Sequence, residues 1–330
     1  MDKILIIGPS WVGDMIMAQS LFIALKNKYD NLLIDVVAPE WSIPVIERMP
    51  EVNNAISIPV KHKQLALITR YKTAKNIRKN NYQQAIVIPR SLKSALIPFF
   101  AKIPKRTGYR GEMRYGLLND IRALDKSILT KTVQRYVNLA NSNDSLNKLE
   151  IPYPKLSVDV SNRKKLIEQL HLKTGKPIIG LMPGAEYGPA KQWPYFKELA
   201  VKLVEHGYRV WIFGSNKDKK IGSEIGNVDS ENIVNLCGKT QLVDAIDLIS
   251  LTGKVVTNDS GLMHMAAAVS TPLVAIYGSS TPDYTPPLTD KLNIIYKKLD
   301  CSPCFKRVCP LGHTNCLYDI SVNDILTKII

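Results

Sequence analysis

Three short polar segments place side chains that can bind anions or move protons at the ends of apolar runs. The first is Asn258-Asp259-Ser260-Gly261, between a strand-like run at 254–257 and a helix-like apolar run at 262–269. Gly261 lets a ligand approach the exposed N–H groups of a helix start, which is a common anion site. His264, on the same helix start, is then a candidate phosphate contact. The alternative is that Asp259 or Ser260 only caps the helix.

The second segment is the loop at 183–193, which joins a predicted strand to a helix beginning near Pro194. Its Lys191 lies just ahead of that helix, where the helix dipole opposes a cation unless an anion is also bound. The position therefore favours a phosphate contact, and the alternative is a lysine extended into solvent. Further candidates for contact with a phosphorylated ligand are Gly184, Ala185, Glu186, Tyr187, Gly214 and Ser215.

The third segment, at 8–14, follows the first predicted strand. Its two glycines, Gly8 and Gly13, are five residues apart and enclose Pro9 and Trp11, so it is not the G-x-G-x-x-G fingerprint of a nicotinamide enzyme. Asp14 places a carboxylate beyond the carboxyl end of that strand. It is a candidate general base, and helix capping is again the alternative.

The elements that position these segments alternate between strand and helix along the 330 residues. Predicted strands at 4–8, 32–38 and 85–89 are each followed by a helix, and the alternation restarts after a polar, proline-containing stretch. This pattern predicts an α/β fold with two Rossmann-like domains whose boundary lies near Val160.

The basic excess is confined to one part of the chain. Residues 60–135 contain 18 Lys and Arg against 3 acidic residues, which equals the whole net charge of +15. Such focusing indicates an anionic partner: a nucleic acid, an acidic membrane or a phosphorylated substrate. Apolar runs are too short to cross a bilayer, and the N-terminal one is too short for a signal peptide, so we expect a cytoplasmic protein.

Together the segments resemble the heptosyltransferases of lipopolysaccharide core synthesis, glycosyltransferase family 9, over essentially the whole chain. The resemblance is carried by Gly13-Asp14, the block 183–194, the block 258–264 and Tyr277-Gly278-Ser279-Ser280. The long form of the second block is similar to the branch that adds the second heptose, whereas the first-heptose branch has a Thr-rich loop there. Another heptosyltransferase of the family is the alternative within this class.

The resemblance implies a GT-B type fold, in which two Rossmann-like domains have parallel sheets facing across a cleft. Residues 1–160 would bind the acceptor and residues 161–330 the donor, ADP-heptose, with the C-terminal segment packing back on the first domain. The implied reaction moves L-glycero-D-manno-heptose to the first heptose of the inner core and inverts the anomeric centre by single displacement, with no cofactor and no metal required.

The resemblance also implies residue roles. Asp14 corresponds to the catalytic base and Lys191 to the residue that neutralises the departing diphosphate. Asp259 corresponds to the acidic residue near the donor sugar, with Ser260, Gly261 and His264 around the phosphates.

The implied acceptor is heptosyl-Kdo2-lipid A at the cytoplasmic face of the inner membrane, and we expect peripheral association with that membrane. This acceptor would account for the basic first half without a nucleic acid. Candidate acceptor contacts are Ser10, Trp11, Gly13, Arg90, Lys93 and Arg110.

A cysteine cluster stands apart from this interpretation. Cys301, Cys304, Cys309 and Cys316 enclose His313 at spacings that a structural zinc site can use. Disulfides are not expected in a cytoplasmic protein, so a reduced structural cluster is the alternative.

Overall fold

The computed structural model describes residues 2–60, 64–141 and 149–330. The chain divides into two compact units, Met1–Lys155 and Leu156–Ile330. The sequence pattern places this boundary five residues later, at 160.

The first unit is built on a six-stranded parallel sheet of order β3-β2-β1-β4-β5-β6. The strands are β1 Lys3–Ile7, β2 Leu33–Pro39, β3 Val52–Ile58, β4 Gln84–Val87, β5 Lys105–Tyr109 and β6 Asp120–Arg122. The helices are α1 Val12–Lys28, α2 Ile43–Ile46, α3 Leu67–Ile77, α4 Leu92–Phe100 and α5 Thr132–Val137. The strand order reverses between β1 and β4, so their carboxyl ends form the switch point at which such sheets bind ligands.

The second unit repeats this plan with the order β12-β11-β10-β7-β8-β9, again all parallel. Its strands are β7 Ile178–Met182, β8 Arg209–Ile212, β9 Ile233–Asn235, β10 Lys254–Asn258, β11 Leu273–Tyr277 and β12 Leu292–Tyr296. Its helices are α6 Val160–Gln169, α7 Phe196–Glu205, α8 Lys219–Gly226, α9 Leu242–Ile249, α10 Gly261–Ala268, α11 Asn315–Tyr318 and α12 Val322–Leu326. Here the switch point lies between β7 and β10.

Burial explains why the central strands are so apolar. All five residues of β7 and of β11 are buried, because helices cover both faces of a parallel sheet. The edge strands β3 and β12 keep exposed positions and polar residues. The sequence pattern is therefore strongest in the strands that carry the candidate site.

The C-terminal segment packs on the core of its own unit. Leu317, Ile320 and Ile325 are fully buried in the cluster that contains Leu199 of α7. The Lys254 ammonium donates to the carbonyl of Lys328 at 2.6 Å. These contacts attach the segment to the second unit, and packing of the segment on the first domain stays a prediction.

Within the ranges that the structure describes, no helix is long and apolar enough to span a membrane.

Candidate functional site

The junction between β10 and α10 holds a paired carboxylate. Asp259, directly after β10, accepts hydrogen bonds from the Lys191 ammonium and from the Ser280 hydroxyl, the latter at 2.5 Å. Ser260 is the N-cap residue of α10, yet its side chain makes no capping hydrogen bond. The capping alternative is therefore not what the structure shows, and the N–H groups at the start of α10 keep no side-chain cap.

Lys191 ends a short 3-10 turn, Pro189–Lys191, ahead of α7. Its side chain is 15% exposed and that of Asp259 is 7% exposed, so the pair is largely withdrawn from water. The alternative of a lysine extended into solvent is wrong. In the protein alone the anion beside this lysine is the Asp259 carboxylate, and the phosphate contact stays a prediction.

Asn258 fixes the loop that carries Lys191, and the sequence analysis gave it no separate role. Its amide oxygen accepts from the backbone N–H of Trp193 at 3.1 Å, and its amide nitrogen donates to the Pro183 carbonyl at 2.8 Å. One buried side chain thus ties down both ends of the loop. The signal in the sequence was an amide residue at the end of a strand predicted to be buried. A buried amide needs hydrogen-bond partners, and here they are the two ends of the loop.

His264 lies in the first two turns of α10 and is buried. Burial lowers the pKa of its imidazole from 6.5 to about 4, an effect that outweighs the nearby Asp259 carboxylate, which raises the pKa. The Lys191 ammonium lowers it further. His264 is therefore neutral near pH 7, so a phosphate would meet it as a neutral hydrogen-bonding group rather than as a cation.

Ser260 offers one further polar group at this helix start. Its hydroxyl oxygen is buried and finds no hydrogen-bond partner among the described residues. Such a group costs free energy unless a ligand or water satisfies it.

Three of the remaining predicted donor-side residues, Gly184, Gly214 and Ser215, lie next to Asp218, a carboxylate that the sequence pattern did not single out. It accepts hydrogen bonds from the backbone N–H and the hydroxyl of Ser215, both at 2.7 Å. A side chain at Gly184 would clash with the Asp218 carboxylate, and one at Gly214 would clash with its Cβ. Ser215, Gly184 and Gly214 thus allow the loop after β7 to pack closely against the loop after β8.

Glu186 and Tyr187 lie further along the same loop. Glu186 is paired with Lys217 at 2.5 Å on the surface. The Tyr187 hydroxyl donates to the Phe305 carbonyl at 2.5 Å, and the Lys191 ammonium lies 4.8 Å from the centre of its ring. Ala185, between these two and Gly184, is buried and accepts a hydrogen bond from the N–H of Gly188.

In the first unit, Asp14 lies in the first turn of α1 and accepts a hydrogen bond from the Tyr136 hydroxyl at 3.2 Å. Trp11 is the N-cap residue of this helix and makes no side-chain capping bond. Ser10, just before it, accepts from the Trp41 indole through its carbonyl, and Gly13 lies within the first helical turn. Since α1 begins at Val12, Asp14 is inside the helix rather than at its cap.

Arg90 and Arg110 come together in one open cavity of about 500 Å³, together with Glu112 and Tyr115. The Glu112 carboxylate accepts from the backbone N–H of Leu92 at the start of α4, at 2.8 Å. Both arginines are exposed, as an acceptor-binding role requires. Lys93 lies on α4 and does not line this cavity.

Comparison with known proteins agrees with this geometry. The family model described as glycosyltransferase family 9 (heptosyltransferase) matches residues 70–315. The chain belongs to this family.

Two curated relatives cover most of the chain. It is 45% identical over 338 residues to lipopolysaccharide heptosyltransferase 2 of Escherichia coli strain K12, covering 99% of this chain and 97% of that protein. It is 52% identical over 306 residues to lipooligosaccharide heptosyltransferase 2 of Haemophilus influenzae, covering 89% of this chain and 88% of that protein.

A solved structure described as E. coli ADP-heptose lps heptosyltransferase II superimposes with a TM-score of 0.87 at 44% identity, covering 99% of this chain and 97% of that one. The predicted α/β fold of GT-B type, with two Rossmann-like units, is therefore confirmed, and so is the prediction that the chain is a glycosyltransferase.

Some arginines of residues 60–135, the region that carries the basic excess, are buried and hydrogen-bonded inside this glycosyltransferase rather than exposed on its surface. Arg114 is buried, donates to the carbonyls of Pro89 and Tyr109, and has its pKa lowered to about 10 by burial. Arg122 is also buried and donates to the Asn138 carbonyl. The charge that faces solvent is therefore smaller than the sequence count suggests.

The cysteine cluster does converge in space. Cys301, Cys304, Cys309 and Cys316, with His313, line a small cavity of about 20 Å³, and all four thiols are free. Burial, together with the other three thiols, raises the pKa of Cys316 to about 11. In the described residues, no group of three or more His, Cys, Asp or Glu side chains is arranged to hold a metal ion. Zinc at this cluster stays a prediction.

Proposed function

We propose that this family 9 glycosyltransferase moves L-glycero-D-manno-heptose from ADP-heptose to the first heptose of the lipopolysaccharide inner core, with inversion at the anomeric carbon. The observation that carries the proposal is the buried Lys191–Asp259 pair beside the uncapped start of α10. The near full-length identity to proteins named lipopolysaccharide heptosyltransferase 2 supports the choice of donor and acceptor.

The second unit binds the donor in this proposal. The N–H groups of α10 and the Lys191 ammonium meet the diphosphate, and the Ser260 hydroxyl gains the partner that it lacks. Asp259 then lies where the diphosphate joins the sugar. The positive groups supply the stabilisation that the departing ADP needs, and this is why we propose that turnover requires no metal ion.

The first unit binds the acceptor, and Asp14 removes the proton from the attacking hydroxyl. Single displacement needs one base, and Asp14 follows β1 at the switch point of its sheet. The hydrogen bond from the Tyr136 hydroxyl orients the Asp14 carboxylate.

The test is ADP release from ADP-heptose with a heptose-terminated acceptor. We expect Asp14→Asn to lower kcat by about 10²-fold to 10⁴-fold while ADP still binds, because general-base catalysis contributes effects of this size. The matched control is Asp30→Asn, at an exposed carboxylate of the same unit. Full activity in Asp14→Asn would show that Asp14 is not the general base. Absence of ADP release by the wild type would contradict the proposed reaction.

Inversion is tested on the product of the same reaction. The anomeric configuration of the transferred heptose, read by NMR, should be opposite to that of the donor. A product with the donor's configuration would contradict single displacement.

The cavity that contains Arg90 and Arg110 is our proposed contact for the acidic acceptor. Arg110→Ala should raise KM for the acceptor by about tenfold and leave KM for ADP-heptose unchanged, because it removes one charge-assisted contact. Lys126→Ala, at an exposed lysine of the same unit, is the control. Equal acceptor KM values in the two variants would exclude this cavity.

We also propose peripheral binding to the cytoplasmic face of the inner membrane through the exposed lysines and arginines of the first unit. Vesicles containing anionic lipid should then sediment the protein at low salt, and neutral vesicles should not. Equal sedimentation with both would contradict an electrostatic attachment. RNA or DNA binding that survives Asp14→Asn would instead favour the nucleic-acid alternative.

For the cysteine cluster we propose reduced thiols with a structural role, and zinc is the second candidate. Metal analysis of the purified protein decides between them, with Cys304→Ser as the control. About one bound zinc per chain that is lost in the variant would establish zinc, and less than about one metal per four chains would exclude it.

A further inference from the structure

The segment 301–309, which we call the cysteine segment, is hydrogen-bonded to the loop that carries Lys191 and to Ser279, just beyond β11. The Phe305 N–H donates to the Ser279 carbonyl at 2.7 Å, and the Ala190 N–H donates to the Arg307 carbonyl at 3.1 Å. The Tyr187 hydroxyl donates to the Phe305 carbonyl. The cysteine segment is therefore part of the wall of the proposed donor site, although the proposed function gives its side chains no task in binding the donor.

Gly188 makes this close fit possible. A Cβ at this position would lie 2.6 Å from the Arg307 carbonyl oxygen, closer than real contacts allow. The backbone at Gly188 also has φ of 142°, a conformation that favours glycine. The two segments thus meet backbone to backbone, and this contact sets the position of the Arg307 side chain.

The Arg307 guanidinium lies over the ring of Tyr187, 5.2 Å from its centre, and the Lys191 ammonium lies 4.8 Å from the same centre. Two cations therefore share one aromatic ring. Their surroundings differ, because Lys191 is paired with Asp259 while Arg307 forms no ion pair or side-chain hydrogen bond in the part of the chain that the structure describes.

This difference matters for a diphosphate ligand. The Lys191–Asp259 pair carries almost no net charge, and a helix N-terminus contributes only about half of an elementary charge. A nucleoside diphosphate carries more negative charge than these groups can balance. A second cation is needed, and an arginine also offers paired N–H donors that match phosphate oxygens.

We propose that Arg307 binds the diphosphate of the donor and of the ADP product, next to Lys191. The inference rests on the proposed function and adds a residue outside the blocks that carry the family resemblance. It gives the cysteine segment a role in the reaction, which is to present this guanidinium at the donor site.

The test compares ADP and AMP binding by isothermal titration calorimetry in the full-length protein. Arg307→Ala should weaken ADP binding by about tenfold or more, the size of one charge-assisted hydrogen bond. AMP binding should fall less, because AMP lacks the second phosphate. Arg307→Lys should lie between wild type and Arg307→Ala, since it keeps the charge and loses the paired donors.

Lys306→Ala is the matched control, because Lys306 is the neighbouring cation on the same segment and is exposed, as Arg307 is. It should change ADP affinity by less than about twofold. Thermal unfolding curves of both variants check that the fold is intact. If Arg307→Ala binds ADP as tightly as Lys306→Ala, or loses ADP and AMP equally, Arg307 does not contact the diphosphate.

The two proposals fail in different ways. If the wild type binds neither ADP nor ADP-heptose, the proposed function is wrong. If the wild type binds ADP and only the Arg307 comparison fails, the proposed function stands without this residue.

Discussion

The buried His264 makes the stability of the second unit depend on pH in a way that can be calculated. Its pKa is lowered from 6.5 to about 4 in the folded protein, chiefly by burial. The unfolded chain therefore takes up a proton near pH 6.5, while the folded protein stays neutral at this site until about pH 4. The stability contributed by neutral His264 is fully present above about pH 6.5 and is lost as the pH falls toward 4.

The size of the effect follows from these two values. Each pH unit between them changes the free energy of unfolding by about 1.4 kcal/mol, so moving from about pH 7 to about pH 5 costs about 2 kcal/mol from this group alone. The charged groups that face His264 are Asp259 and Lys191, whose opposite effects on its pKa are already contained in the value of about 4.

The assay is urea unfolding at several pH values for wild type and His264→Gln, which cannot take up this proton. Relative to wild type, the variant should gain about 2 kcal/mol as the pH falls from about 7 to about 5, whatever its stability at pH 7. His206→Gln is the control, because His206 is exposed. Parallel stability curves for wild type and His264→Gln would refute the assignment of His264 as a buried neutral imidazole.

Three further predictions concern the donor side. Asp259→Asn releases Lys191 from its ion pair, so ADP should bind about threefold tighter or more while kcat falls by about 10²-fold, measured by calorimetry and ADP release; weaker ADP binding would contradict it. Gly188→Ala should lower the free energy of unfolding by about 1–3 kcal/mol in urea, whereas Gly175→Ala, with open space around its Cα, should change it by less than about 0.5 kcal/mol. Extensive dialysis against a chelator should leave kcat within about twofold, because protein cations supply the positive charge; loss of activity that added metal restores would contradict it.

The sequence pattern predicted the central strands well and the edge strands poorly. β1, β7 and β11 are almost continuous apolar runs because both faces of the sheet are covered. The expected strands did not include β3, β6, β9 and β12, which all lie at sheet edges, where half-exposed positions interrupt the run. The sequence Lys105-Arg106-Thr107-Gly108-Tyr109 of β5 was missed for another reason: it is rich in polar residues, and the Thr107 hydroxyl finds its partners Gln84 and Asp120 only in the folded sheet.

The candidate site was predictable where a polar residue directly follows a buried strand. Asp259 was proposed in this way, and Lys191 and Asp14 were proposed from the loops that follow β7 and β1, because nothing in the packing of a strand–helix junction demands them. Contacts between residues far apart in sequence were not predictable. The pairing of Lys191 with Asp259 joins residues 68 positions apart, and the contact of Arg307 with Tyr187 joins two different loops.

A carboxylate within an anion site needs a physical reason, and the proposed reaction provides one. Asp259 repels a diphosphate, so it weakens donor binding unless it does something in return. In a single displacement the bond between sugar and diphosphate lengthens before the new bond forms, and positive charge develops on the anomeric carbon. A carboxylate held beside that carbon stabilises this charge only in the transition state, which is where an interaction accelerates the reaction. In the proposed reaction, Lys191 holds Asp259 in place in the resting protein and faces the growing charge of ADP as it leaves. The two charges of the pair are then complementary to the two ends of the breaking bond.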